Sequence, residues 1–206
     1  FGLLIGTPYT SLTQSKNLKK EILHMRYLFW AFVLLLLLQS AGLSQIKTAD
    51  LRYIDTAFSY VGTKEKTGNN DGAEVERFLK SVGRKKGDSW CAAFVSYCLT
   101  VTNHPFPIRS GLARAFVTKQ SILATHVLQG IKQVSCGDLI IWQKGSSISG
   151  HIGFVAIVDD KKYITIEGNT SSGQKGAQAD GDGVYVRTRT IQPYNYFRVK
   201  WFTKIN

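Results

Sequence analysis

Apolar and polar positions follow two rhythms along this chain, and the change falls near Cys136. Before it, the spacing is helical. In "TADLRYIDTAFSYVG" the residues Leu51, Ile54, Ala57, Phe58 and Val61 recur every three or four positions, with Thr48 placed to cap the start and Gly62 to end it. "AEVERFLKSVG" repeats the pattern over a shorter length and stops at Gly83. "SWCAAFVSYCLTV" gives a third helix, which the prolines of "TNHPFP" prevent from continuing. "SGLARAFVTKQ" reads as a fourth. Between the first two helices, "TKEKTGNNDG" is a loop by its Gly and Asn content.

After Cys136 the runs shorten and fill with Val, Ile, Tyr and Phe. "DLIIW", "IGFVAIV", "KYITIE", "GVYVRTRTI" and "YFRVKWF" are strands, with "VDDKKY" as a hairpin turn and "GNTSSGQKGAQADGDG" as a long polar loop. Helices followed by antiparallel strands make an α+β fold.

A different pattern precedes both. Met25 and Arg26 lead into an apolar run from Tyr27 to Leu38, followed by the small residues of "SAGLS". A basic start, a short apolar core and a small-residue cleavage region together make a secretory signal peptide. Crossing a bilayer takes about 20 apolar residues, and this run stops at Gln39. The expectation is therefore a leader over residues 25–44, cleavage before Gln45, and a folded domain over residues 45–206. Residues 1–24 then lie upstream of the true start. The protein is expected to be secreted or periplasmic, with no integral membrane span once the leader is removed.

The chain has 206 residues, a net charge of +12 and a 44% hydrophobic content, enough for one domain with a real core. An exported basic protein is drawn to anionic polymers. The basic residues are scattered, however, without the aromatic-interleaved stripe or motif of a nucleic-acid binder, so no nucleic-acid partner is expected. Three cysteines, Cys91, Cys98 and Cys136, leave one over if the other two pair. There is no CxxC pair and the histidines are dispersed, which argues against a structural zinc site. "NNDG" (69–72) and "DGDG" (180–183) lack the closing Glu of a calcium loop and read as turns, so no metal and no cofactor is expected.

On the third helix Cys91, Phe94, Val95 and Cys98 share one apolar face, which makes Cys98 a core residue. Cys91 differs. It falls in the first turn, behind the capping candidates Asp88 and Ser89, where free N–H groups and the helix dipole favour a thiolate and can hold an oxyanion. A base is available in His151, which follows the flexible "KGSSISG" and opens a strand; His104 and His126 have no comparable setting. Glu167 and Asn169 end the strand "YITIEGN" two positions apart and hence on one face. A carboxylate there needs a partner, and an imidazolium on the adjacent strand supplies one. Taken singly, these residues also read as a surface histidine, a strand-end acid and a turn Asn. Their order, thiol then imidazole then carboxylate, is the one a thiol hydrolase uses.

"GDSWCAAFVSYCL", "CGDLIIWQKG", "SGHIGFVAIV" and "ITIEGNTSSG", in that order, resemble the CHAP amidase/peptidase domain, a branch of the papain-like NlpC superfamily of cell-wall hydrolases. The resemblance spans about residues 50–203. It implies a papain-like α+β fold, with the nucleophile at a helix start packed against an antiparallel sheet that carries the histidine. It also implies Cys91 as nucleophile, His151 as general base, Glu167 as the orienting third member and Asn169 as a fourth polar member. Either Glu167 or Asn169 could be the essential one. Trp90, directly before the nucleophile, either walls the cleft or packs in the core, and Arg109 and Arg114 are candidates to meet substrate carboxylates. The implied partner is peptidoglycan, cut at a stem-peptide, cross-bridge or muramoyl–L-alanine amide. A non-catalytic wall-binding module and an antibacterial effector or lysin are the rival readings.

Overall fold

The computed structural model describes residues 50–174 and 181–205. The expected leader, Thr48 and part of the long polar loop lie outside them. Among the described residues no helix is long and apolar enough to cross a membrane.

Among the described residues three helices come first: α1 (Arg52–Ser59), α2 (Ala73–Lys80) and α3 (Cys91–Val101). A single 3-10 turn (Ala113–Phe116), a two-residue strand β1 (Ile122–Leu123) and a short helix α4 (Ala124–Leu128) follow. The rest is the sheet: β2 (Leu139–Lys144), β3 (Gly150–Asp159), β4 (Lys162–Thr170), β5 (Gly183–Thr190) and β6 (Phe197–Thr203). The strands lie in the order β1-β6-β2-β3-β4-β5 and every pairing is antiparallel. This is the α+β, papain-like arrangement expected, with the helices packed on the sheet.

Period-two alternation gives β2 a buried residue on each face. Leu139 and Ile141 join the core shared with the helices, while Ile140 and Trp142 join a second cluster with Val155, Tyr163 and Phe202. Such a strand reads as a continuous apolar run because neither face meets water. The α3 helix is likewise buried nearly all round, lying between α1 and α2 on one side and β3 and β4 on the other. Phe94 anchors it, in ring contact with Phe78 and Phe154. Truncating so buried an aromatic to Ala costs about 3–5 kcal/mol.

Gly168 lets β4 come close enough to α3 for this packing. A Cβ there would lie 2.7 Å from the Trp90 ring and 2.8 Å from Phe94 Cβ. The start of α3 is thereby set against the end of β4.

Several local expectations are corrected. The stretch 110–120 makes only the 3-10 turn, because its backbone is engaged elsewhere. Ser110 exchanges hydrogen bonds with Ser96 of α3, and the Phe116 carbonyl accepts from Thr203 Oγ1. On α1 the buried face centres on Tyr53 and Ala57, and Phe58 is 62% exposed. The Tyr53 hydroxyl donates to the Gly137 carbonyl at the head of the sheet, which turns the helix away from a purely apolar face.

Candidate active site

Cys91 opens α3 and His151 is the second residue of β3. His151 stands opposite Trp142 in the β2–β3 register, and their rings lie 5.2 Å apart. Its Nε2 is 2.9 Å from Glu167 Oε2, and the imidazole also hydrogen-bonds the Cys91 thiol. The imidazole thus interacts with both the thiol and the carboxylate.

Glu167 is fully buried, and its position is over-determined. Arg189 of β5 forks onto it, with Nε 2.7 Å from Oε1 and Nη2 2.5 Å from Oε2. Thr165 Oγ1 donates to Oε1 at 2.5 Å. Gly153 of β3 makes the room, since a Cβ there would come within 2.6 Å of Glu167 Cγ. Burial would raise this carboxyl, yet hydrogen bonds from Arg189 and then His151 hold it well below the usual carboxylate range. For His151, burial works against the charged ring, but hydrogen bonding and charge from Cys91 and Glu167 prevail and push it up to about 9.

The cluster opens onto a cavity of about 410 Å³, whose walls include Cys91, His151, Asn169, Ser89, Lys144 and Arg189. Asn169 reaches it by an irregular route. A β-bulge lies between Glu167 and Thr170, and Asn169 has a left-handed φ of 53°, so simple alternation does not place it. Its Oδ1 is buried without a hydrogen-bond partner among the described residues. The N-cap of α3 is Trp90, whose side chain makes no capping bond, so neither Asp88 nor Ser89 caps the helix as expected. Asp88 instead accepts from the Lys85 N–H. The first-turn N–H groups of α3 thus have no side-chain cap among the described residues.

Three other candidate residues do not line this cavity. Trp90 does not wall the cavity: it is fully buried, tilted against Phe78, and donates Nε1–H to Glu65 Oε1 at 2.8 Å. Arg109 is a structural tie, because its guanidinium hydrogen-bonds the carbonyls of Leu99, His104, Phe106 and Ile108 and closes the end of α3. Arg114 lies over the Trp201 ring at 4.5 Å and lines a neighbouring cavity with Gln143 and Ile148 instead of the one at Cys91.

All three cysteines are free. Cys98 is fully buried and its thiol is pushed far up by burial, while Cys136, partly exposed, is raised by burial and by Asp138. Asp71 of "NNDG" bonds Thr67 and Lys86, which is turn chemistry. Among the described residues no group of three or more His, Cys, Asp or Glu gathers as a metal site would.

Sequence reasoning missed Arg189. Its one signal, alternating arginines in "VRTRT" on a strand, does not reveal a register that brings Arg189 to Glu167.

Comparison with protein families finds the CHAP domain over residues 83–169, a span that contains Cys91, His151, Glu167 and Asn169 and ends before Arg189. No curated protein and no solved structure matches the chain.

Proposed function

This chain carries a CHAP domain, the mark of a cell-wall amidase or peptidase, and on that premise we propose that it hydrolyses an amide bond of peptidoglycan through Cys91, His151 and Glu167. The observation that carries the reading is the imidazole of His151 held between the Cys91 thiol and the buried Glu167 carboxylate. His151 takes the proton of the Cys91 thiol and so makes Sγ the attacking nucleophile.

Sγ of Cys91 adds to the amide carbonyl carbon, and the electron pair moves onto oxygen. The N–H of Cys91 at the start of α3, where Trp90 makes no side-chain cap, meets that oxyanion. The carbon–nitrogen bond breaks as His151 gives its proton to the leaving amine. Water then attacks the thioester, His151 takes a proton from it, and the acid product leaves with the thiol restored. Glu167 orients the ring and stabilises its charge throughout, while Arg189 keeps Glu167 ionised and in place. Trp142 covers the His151 ring and strengthens these interactions by excluding water. The substrate lies outside the cytoplasm, and export on the residue 25–44 leader is part of the proposal.

Incubation of purified peptidoglycan with the protein and with a Cys91→Ala variant tests this, with the fragments identified by mass spectrometry. The proposal expects fragments with new amine and carboxyl ends from the first, and at least ~10³-fold less from the variant. Equal product from both contradicts it.

A further inference from the structure

The Cys91 cavity has a charge character that the hydrolytic cluster does not use. Lys144 and Arg189 both line it, and no carboxylate does among the described residues. Glu167, the acid that Arg189 engages, is fully buried and does not line the wall. Arg189 commits only one edge of its guanidinium to that acid. Nε and Nη2 bond Glu167, and Nη2 also reaches Thr170 Oγ1, while Nη1 has no partner among the described residues. The side chain remains 25% exposed and lines the Cys91 cavity as well as a second one beside Trp142, so part of it is open to a ligand. Lys144 ends β2 as an exposed residue, and its ammonium has no hydrogen bond or ion pair among the described residues. It stands opposite Phe197 in the β2–β6 register, and Phe197 adds an apolar wall to the same cavity.

Two cations facing one cleft raise the local potential and favour an anionic occupant. A guanidinium edge with free N–H groups suits a carboxylate, and an ammonium adds a second charge-assisted bond. We propose that Lys144 and Arg189 form a carboxylate subsite, so that the preferred substrate is an amide whose neighbouring residue carries a free carboxylate. The inference rests on the hydrolase reading above and narrows its substrate class. Amidation of that carboxylate on the peptide would take the bond out of the enzyme's reach.

Two synthetic stem peptides, identical except for a free carboxylate or a carboxamide beside the scissile amide, provide the test. The subsite requires the protein to prefer the free acid in kcat/KM by about tenfold, the scale of one charge-assisted hydrogen bond. Lys144→Met keeps the hydrocarbon stem, removes the charge, and should erase most of that preference through KM. Arg189 is unsuitable for this test because it also holds Glu167. In titration calorimetry, Cys91→Ala should bind the free acid more tightly than the amide, by a factor that shrinks as salt is raised. Equal kcat/KM for the two peptides, or an undiminished preference in Lys144→Met, overturns the subsite and leaves the hydrolase reading standing. Failure to cleave either peptide or whole peptidoglycan overturns both.

Discussion

Arg189 and Glu167 are joined by a fork of two hydrogen bonds, Nε to Oε1 at 2.7 Å and Nη2 to Oε2 at 2.5 Å, and the carboxylate so held is the one that receives His151. An isolated carboxylate at this depth would take up a proton. Arg189 prevents that, and so acts on His151 through Glu167. Arg189→Gln should lower kcat by on the order of 10²-fold and leave a buried carboxylate short of its cation, at a stability cost of about 3–5 kcal/mol. Arg189→Lys should recover part of the activity. The pH profile separates positioning from mere stabilisation. In Arg189→Gln an acid limb should appear as Glu167 begins to titrate, and kcat/KM against pH with thermal melts checks both effects.

His151 gives the pH dependence a definite sign. Its pKa in the folded protein is pushed up to about 9 from an ordinary 6.5, so the protonated ring favours folding. That contribution is fully present below about pH 6.5 and is lost as pH rises through about 9. At about 1.4 kcal/mol per pH unit the loss is about 3 kcal/mol. Denaturant melts between pH 6 and 10 should show it, and His151→Gln should flatten the curve. Activity should fall on the alkaline side near pH 9. The lowered carboxyl of Glu167 contributes no acid limb near pH 4–5.

Glu167→Gln and Asn169→Ala distinguish the two polar residues at the end of β4. Only Glu167 touches His151 by a hydrogen bond, and it alone balances the charge of the ring. Glu167→Gln should therefore cost 10²-fold or more in kcat, and Asn169→Ala no more than about tenfold. Steady-state kinetics of the two variants decides this. Near-full activity in Glu167→Gln with loss in Asn169→Ala would transfer the orienting role to Asn169.

Gly153 ties strand packing to the site. Its missing Cβ is what lets Glu167 lie beneath β3, since an added one would also stand 3.0 Å from the Ile166 carbonyl oxygen. Gly153→Ala should destabilise the fold by about 1–3 kcal/mol through overpacking. It should also displace the carboxylate, so that activity falls further than the unfolded fraction explains. Melts and kinetics on the same preparation compare the two.

The strands were legible in the sequence because their apolar runs are bounded by Gly, Asn and Asp. Every strand read from those runs is present, as are the first three helices. The stretch 110–120 was not legible, because hydrogen bonds exchanged with Ser96 and received from Thr203, distant in sequence, hold its backbone out of a helix. Cys91 and Cys98 could be separated by helix position: one lines the cavity, and the other is sealed in the core. Trp90 and Arg109 could not be assigned from their neighbours in the chain. Their partners, Glu65 for the first and a row of helix-end carbonyls for the second, are set by the fold. Arg189 was hidden for the same reason, as only strand pairing brings it to Glu167.

Thiol alkylation tests the central claim most directly. With limiting iodoacetamide at pH 6 and peptide mapping by mass spectrometry, Cys91 should be modified first and peptidoglycan-cleaving activity should be lost in step with it. His151→Ala should slow that modification about 100-fold or more, because the thiol loses the base that takes up its proton. Alkylation of Cys91 no faster than that of Cys136, or full activity with Cys91 blocked, would contradict the account.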